Sequence, residues 1–521
     1  MGGLFGVGCE RAVPPADTLV VAQVAEPRSL DPHVTTALND FRILVNLFEG
    51  LVRYRPGTLE PAPALAESWS VSDDGRVYTF RLRPGVRFHD GSACDAEAVR
   101  FNFQRMLDPE HPYHDTGPFP LAFFFEAVEA IDVIDPLTLR FRLVDPFAPF
   151  LSNLAYPAGL VVSPAAVRRW GDAVGRHPSG TGPFRFVDWQ PGERVTLERF
   201  DGYQRSTGRI DRSADDSPVE RLIFRPITDP MTRVAELLAG GVDLALELSP
   251  DNVAAFRDRV GFQVLEATGP HLWFLILNTR DGPFSDLRVR RAVNLAIDTK
   301  TLVEDVLRDT AVPAAGPIPA AFGWAHDPAL AAYGHDPEAA RALLADAGHA
   351  DGLEIIFLVP RGGSGMLAPL AMATAIQADL ARVGIKARIQ SYEWNAYLAR
   401  VNQGLDADAD MAEMAWMTND PDTLPYLALR CDAEPGQGGF NSGWYCNPAV
   451  DRLIEQARRA TDRDQRARLY HQLARKVQAD APWVVVASWR QNIVARDDVH
   501  GLRLEPSFFL RLDGASKSGP E

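Results

Sequence analysis

The sequence predicts an α/β fold of two lobes, with an α+β domain inserted into the first lobe. A length of 521 residues, at about 150 residues per domain, indicates three or four structural units. Apolar strand patterns alternate with helical patterns after Val219 and again after Pro283, which is typical of α/β sheets. From about residue 59 to residue 143 the pattern changes to hairpins around one helix, which indicates a separate α+β unit.

The first lobe begins with a strand that leads into a helix. β-branched residues between Thr18 and Val24 predict the strand. Apolar residues then recur at helical spacing between Leu38 and Phe48, and Gly50 stands where a left-handed C-cap is expected.

Two-residue turns then predict three hairpins. A helix over residues 95–107 lies between the first two hairpins, and these three elements form the predicted insertion. The turns are Asp74-Gly75, Asp135-Pro136 and Pro191-Gly192.

The remaining elements follow the α/β order. Strands are predicted over 222–225, 242–246, 353–359 and 385–389, and helices over 230–239, 286–296, 337–347, 370–382 and 448–459. The helix after Asp336 shows its signals plainly, with Asp336 at the N-cap, Pro337 at the first helical position and Gly348 just past the end.

Charge and hydropathy argue against nucleic-acid binding and against a membrane-spanning helix. The chain has 53 Lys and Arg against 69 Asp and Glu, a net charge of −16, so its field repels nucleic-acid phosphates. An apolar run of about 18 residues, which a membrane-spanning helix needs, does not occur in the sequence. We therefore expect neither nucleic-acid binding nor a transmembrane segment.

The signatures of common enzymes are missing. The sequence contains no phosphate-loop motif, no H-E-x-x-H zinc pair, no G-x-S-x-G elbow and no G-x-G-x-x-G dinucleotide motif. His111 and His114 share a Pro-rich acidic loop, for which we expect a solvated surface and no metal ion. The sequence therefore predicts no catalytic residues, no cofactor and no metal site.

The four cysteines leave two questions open. Cys431 and Cys446 flank a Gly-rich loop, and they are either a disulfide or two independent small apolar side chains. Cys9 follows the small residues Gly6-Val7-Gly8, and it is either a lipidation site or a plain exposed thiol. Cys94 is expected to be an unpaired, partly buried thiol.

Charged and aromatic residues follow three predicted strands. Asp420 and Asp422 come after an apolar strand that contains Trp416, at the carboxyl end where α/β sheets bind ligands. With Trp394 nearby, such a carboxylate suits a ligand cation, and capping of a helical turn is the alternative. Arg361 ends the strand over 353–359, where its planar guanidinium suits a ligand carboxylate; a solvated surface arginine is the alternative.

These motifs together resemble one family. In order along residues 17–510, the chain carries PRSLDP (27–32), FEGL (48–51), YTFRLRPGV (78–86), FHDG (88–91), GTGPF (180–184), NT (278–279), PFSD (283–286), RVR (288–290) and DPEA (336–339). They resemble the motifs of the family 5 extracellular solute-binding proteins of ABC importers, the family of the dipeptide- and oligopeptide-binding proteins.

The resemblance implies the large type II periplasmic-binding-protein fold, in which two lobes joined by hinge strands close on a ligand. Lobe I would comprise residues 17–55, 178–272 and 487–513, the inserted α+β domain residues 56–177, and lobe II residues 273–486. It also implies a disulfide between Cys431 and Cys446, and an extracytoplasmic, periplasmic location with or without a lipid anchor at Cys9.

The resemblance further implies roles for individual residues. In peptide-binding relatives an Asp after the Trp-bearing strand pairs with the ligand ammonium, and an Arg on the second lobe receives its carboxylate. Asp420, with Asp422 as the competing position, and Arg361 match those positions. The segment over 416–422 is shorter than the corresponding family loop, and this difference counts against the ammonium role of the Asp. The remaining ligand-binding candidates are Trp394, Trp416, Trp444 and Asn278.

The expected function is capture of a small peptide-like solute between the lobes and its delivery to ABC permease subunits, with the protein a monomer. The alternatives are the same role for a sugar, an opine or a metal chelate, or a hydrolase that acts on a bound peptide or ester.

Overall fold

The structure is a computed structural model that describes residue 15 and residues 17–204, 216–363 and 365–518. Cys9 therefore lies outside the described residues. The strands are β1 (Thr18–Gln23), β2 (Val52–Tyr54), β3 (Pro61–Pro63), β4 (Ala66–Val71), β5 (Val77–Leu82), β6 (Val128–Asp135), β7 (Thr138–Leu143), β8 (Phe184–Gln190), β9 (Arg194–Arg199), β10 (Asp216–Pro218), β11 (Arg221–Pro226), β12 (Leu244–Leu246), β13 (Phe262–Thr268), β14 (His271–Leu277), β15 (Ala311–Pro313), β16 (Leu353–Pro360), β17 (Ile385–Tyr392), β18 (Met411–Met417), β19 (Trp483–Arg496), β20 (Val499–His500), β21 (Arg503–Leu504), β22 (Leu510–Arg511) and β23 (Ser516–Ser518).

The α-helices of these residues connect and cover the strands. They are α1 (Leu38–Leu47), α2 (Ala96–Leu107), α3 (Phe150–Ala155), α4 (Pro164–Trp170), α5 (Pro230–Leu238), α6 (Pro250–Phe256), α7 (Leu287–Ala296), α8 (Thr299–Thr301), α9 (Pro337–Asp346), α10 (Pro369–Arg382), α11 (Trp394–Val401), α12 (Thr423–Ala428), α13 (Pro448–Arg459) and α14 (Arg463–Asp480).

One long sheet runs through the molecule in the order β17-β16-β18-β14-β19-β12-β1-β11-β9-β8, and β13 and β15 also pair with β19. In lobe II, β16 is parallel to β17 and to β18, whereas β14 is antiparallel to β18. In lobe I, β1 is parallel to β11 and β12. The predicted alternation of strands and helices therefore forms two α/β halves of one sheet.

The two halves meet at β19. Its first residues, 483–487, pair with β14, and residues 490–496 pair with β13. The strands β13 and β14 are themselves joined only by Gly269 and Pro270. Two adjacent backbone connections therefore join the lobes, as a hinge requires.

The inserted domain is a four-stranded antiparallel sheet in the order β4-β5-β7-β6, packed with α2 and α3. Asp95 caps α2 by accepting a hydrogen bond from the backbone N–H of Ala98 at 2.9 Å. Alternating residues such as Phe80 and Phe141 face one large core that the insertion shares with lobe I. The insertion is therefore anchored to lobe I by continuous apolar packing.

Separate apolar cores cover the two faces of the lobe II sheet. One contains Trp273 and Phe357 under α7, α9 and α10, and the other contains Phe274 and Tyr397 under α11 and α13. Because β14 is covered on both faces, its seven residues are all buried.

The N-cap of α9 gives a test of the fold. Asp336 accepts a hydrogen bond from the backbone N–H of Ala339 at 2.9 Å. We expect Asp336→Ala to lower the free energy of unfolding by about 1 kcal/mol, because that N–H loses its partner. Urea denaturation followed by circular dichroism measures the change. The exposed Asp351→Ala serves as the control, and an equal effect of the two substitutions would contradict the capping role.

Candidate functional site

The carboxyl ends of three lobe II strands meet at one edge of the sheet. Because β16 is parallel to β17 and β18, the residues after each strand lie at the same edge. Arg361 follows β16, Trp394 follows β17, and Trp416 stands near the end of β18. The structure thus brings together at one edge three of the residues that the sequence predicts for a ligand site.

Arg361 presents a free cation at this edge. Its backbone N–H donates to the carbonyl of Tyr392 at 2.8 Å, which fixes its main chain. The side chain is exposed, and within the described part of the chain its guanidinium has no hydrogen-bond or ion-pair partner. A planar guanidinium in this state can receive a carboxylate through two parallel hydrogen bonds.

Trp394 packs on the loop that follows Arg361. A Cβ atom added at Gly363 would lie 2.3 Å from the Trp394 ring, so the indole covers a backbone position that accepts only glycine. The ring also stacks on Tyr397, with a centroid separation of 6.0 Å and an interplanar angle of 14°. A rigid aromatic surface therefore stands beside the loop that carries the cation.

Trp416 is held in place by a loop that a disulfide closes. Cys431 and Cys446 are bonded, which confirms the predicted pairing. The loop between them carries Phe440, whose ring meets Trp416 edge to face at 5.0 Å. The loop closed by the disulfide therefore packs directly against Trp416.

A buried histidine, which the sequence analysis missed, ties the site to the hinge. His271 Nδ1 accepts from the backbone N–H of Trp489 in β19 at 3.1 Å, so Nε2 carries the proton and donates to the carbonyl of Gly365 at 2.9 Å. Burial lowers the pKa of His271 to about 4, and the ring is therefore neutral at pH 7. It connects the loop after Arg361 to the strand that joins the lobes.

Both carboxylate oxygens of Asp420 accept hydrogen bonds from other groups of the protein. Its Oδ1 accepts from Arg466 Nη2 at 2.8 Å and from the backbone N–H of Asp422 at 2.9 Å, and its Oδ2 accepts from Ser152 Oγ at 2.8 Å. The side chain is 1% exposed. Since its charge is balanced by a buried arginine and both oxygens are used, Asp420 is occupied as a structural ion pair, the arrangement expected for a buried carboxylate.

Asp422 is also buried and paired. Its Oδ2 accepts from Arg458 Nη1 at 2.7 Å. Burial, partly offset by the charge of Arg458, raises the pKa of Asp422 to about 6. Asp420 and Asp422 thus hold two helices, α13 and α14, against the segment that follows β18.

Asn278 and Trp444 lie at the opposite edge of the sheet from Arg361. Because β14 runs antiparallel to β18, its carboxyl end lies beside the start of β18. There Asn278 donates to the carbonyl of Asp406 at 3.2 Å, and Trp444 donates from Nε1 to the carbonyl of Leu405 at 2.6 Å. The structure therefore does not bring these two residues to the edge that carries Arg361.

In the part of the chain that the structure describes, no group of three or more His, Cys, Asp or Glu side chains is placed to hold a metal ion. His111 and His114 are engaged in the loop itself, since His111 Nδ1 accepts from the Tyr113 N–H at 3.3 Å and His114 Nδ1 lies 3.0 Å from the Arg105 carbonyl. None of the described helices combines the length and apolar character needed to cross a bilayer.

The two α/β halves joined at β19, together with the inserted domain, define a two-lobed α/β protein. The chain matches the family described as "Bacterial extracellular solute-binding proteins, family 5 Middle" over residues 60–437. It is 34% identical over 506 residues to di/tripeptide-binding protein 2 of Pseudomonas aeruginosa (strain UCBPP-PA14), covering 94% of this chain and 93% of that protein.

Two solved structures have the same fold as this chain. HbpA2 from Haemophilus parasuis superposes with a TM-score of 0.85 at 28% identity, covering 96% of this chain and 99% of that one. A dipeptide-binding protein from Pseudoalteromonas sp. SM9913 in complex with Met-Leu superposes with a TM-score of 0.79 at 26% identity, covering 96% and 100%. The chain belongs to the family 5 extracellular solute-binding proteins, and the fold class predicted from the sequence is confirmed.

The buried pair of Asp420 and Arg466 predicts a stability effect. We expect Asp420→Asn to lower the free energy of unfolding by roughly 3 kcal/mol, because buried Arg466 would lose the carboxylate with which it forms its ion pair. Chemical denaturation measures this change. Asp408→Asn, at an exposed position, is the control, and an Asp420→Asn protein as stable as the control would show that the pair is not structural.

The raised pKa of Asp422 predicts a pH dependence. Its folded pKa, about 6, lies above its ordinary value of 3.8, so the folded state holds more protons between pH 4 and pH 6. The stability of the native protein relative to the Asp422→Asn variant should therefore fall by about 3 kcal/mol as the pH rises through this window, and stay level above it. Denaturation curves of both proteins at several pH values test this, and a constant difference between them would refute it.

Proposed function

We propose that this solute-binding protein captures a small peptide-like solute that carries a free carboxylate, and delivers it to the permease subunits of an ABC importer. Curated relatives bear the names di/tripeptide-binding protein, heme-binding protein A and glutathione-binding protein. A small solute with a carboxylate is common to the peptide and glutathione names.

The observation that carries the proposal is the state of Arg361. Its guanidinium is exposed, has no partner among the described side chains and stands at the sheet edge beside Trp394. In water, the interaction energy between an exposed guanidinium and a carboxylate is small. The same interaction becomes much stronger when a ligand carboxylate is enclosed with the guanidinium away from water. We assign Arg361 as the carboxylate receptor, and Trp394 and Trp416 as the apolar walls of the site.

The ammonium end of the solute needs another partner. Asp420 and Asp422 are neutralised by Arg466 and Arg458, so a ligand ammonium would have to displace an arginine that is already paired. We therefore propose that affinity rests on the carboxylate and on the body of the solute, and that a free amino terminus adds little. This leaves Asn278 and Trp444 out of the proposed site, because they lie at the other edge.

Closure of the lobes would complete the site. We propose that residues 17–55, 178–272 and 487–513 form lobe I, residues 56–177 the insertion and residues 273–486 lobe II, with rotation at β19. The protein would act as an extracytoplasmic monomer that releases its solute chemically unchanged. Lipid attachment at Cys9 stays a proposal, since that residue lies outside the described chain.

Arg361 is tested by calorimetry with a dipeptide and its C-terminal amide. We expect Arg361→Ala to weaken binding of the dipeptide at least tenfold, about 1.4 kcal/mol, and to leave the weaker binding of the amide unchanged. Arg388→Ala, at an exposed arginine on β17, is the matched control. Equal affinity of the native protein for dipeptide and amide would remove the carboxylate from the proposal.

A further inference from the structure

A cavity lies where the inserted domain meets lobe II. Its volume is about 310 Å³. Cavities of roughly 150 Å³ already hold a benzene ring, so this one has room for a ring with a short side chain. Arg361, Trp394 and Trp416 do not line it, and it is therefore separate from the proposed solute site.

The wall from the inserted domain is mainly apolar. Leu59, Val71 and Leu151 line it together with the ring of Tyr78. The Tyr78 hydroxyl donates to the carbonyl of Phe147 at 3.3 Å, so its hydrogen bond is made within the protein. This wall offers contact area to the apolar body of a ligand.

The wall from lobe II is aromatic and cationic. Trp324 lies under two arginines of the first turns of α14, with the guanidinium carbon of Arg463 at 5.5 Å and that of Arg466 at 5.3 Å from the ring centre. Arg466 is buried and neutralised by Asp420. Arg463 is 55% exposed, and its charge is the one that a ligand can reach.

The present partner of Arg463 is easily replaced. Arg463 pairs with Glu60, whose side chain is 36% exposed and also lies 3.7 Å from Arg55. Exposed ion pairs of this kind contribute little stability. A ligand carboxylate can take the place of Glu60 on Arg463, while Glu60 keeps its contact with Arg55.

We propose that this cavity is a second ligand site, and that it takes a small amphipathic carboxylate with its ring between Tyr78 and Trp324 and its carboxylate on Arg463. The ligand touches both the inserted domain and lobe II, so its binding favours the arrangement in which the two are in contact. The site does not depend on the proposed solute: it has its own cation and its own aromatic walls.

The probe for the test is 3-phenylpropionate, followed by fluorine NMR of protein labelled with 5-fluorotryptophan. The Trp324 signal among the ten tryptophans is assigned with Trp324→Phe. We expect the probe to shift this signal with a dissociation constant on the order of 1 mM, and the uncharged 3-phenylpropionamide to bind at least fivefold more weakly.

Four variants decide the outcome. Arg463→Gln should weaken the probe at least fivefold and Arg459→Gln, at a neighbouring exposed arginine, should not. Val71→Phe, which fills the cavity from a partly exposed position, should abolish the shift even if Arg463→Gln folds poorly. Arg361→Ala should leave the shift intact. A native protein that shows no shift at about 20 mM probe, or a shift that Arg361→Ala removes, overturns the proposal.

Discussion

The continuous backbone ladder of β19 is the constraint on which the other features depend. One strand pairs with β14 in lobe II and with β13 and β12 in lobe I, so its backbone is shared by both lobes, and the proposed closure would have to occur about it. His271 adds a second link at the same level, since one ring nitrogen is bonded to β19 and the other to the loop after Arg361. The loop after Arg361 and the strand β19 are therefore connected through one side chain. Burial keeps that link neutral, because the pKa of His271 lies near 4, and proton uptake at neutral pH does not disturb it.

Two kinds of charge stand at the carboxyl edge of the lobe II sheet, and their burial separates their roles. Arg361 is exposed and unpaired among the described residues, which suits a ligand that arrives from water. Asp420 and Asp422 are buried and form ion pairs with Arg466 and Arg458, which is the arrangement of carboxylates that stabilise the fold. The same pairs reach the inserted domain, since Ser152 donates to Asp420. The insertion is thereby joined to lobe II as well as to lobe I, and the cavity lined by Tyr78 and Trp324 lies within that junction.

Elements with local signals could be predicted from the sequence. The cap at Asp336 and the Asp-Gly and Asp-Pro hairpin turns are decided by neighbouring residues, and the structure has them where expected. The disulfide pairing followed from family resemblance. The strand β14 carries neither helical nor alternating periodicity because both its faces are buried, and it was not identified. The ion pair of Asp420 joins residues 46 positions apart, and nothing local announces it. Asn278 is a ligand-binding candidate by sequence, but its place at the opposite edge from Arg361 could not be predicted, because the direction of β14 within the sheet depends on long-range pairing.

The central claim is that a solute closes two lobes about β19. It is tested most directly by the distance between spin labels on the two lobes, attached at the exposed positions Val187 and Leu370 after their replacement by cysteine. Cys94 is buried and leaves the labelling specific, and Cys9 is replaced by serine. Double electron–electron resonance should show one distribution without solute, and a distribution displaced by several ångströms once a bound dipeptide is verified by calorimetry. An identical distribution in the two samples, at saturating dipeptide, would contradict the account.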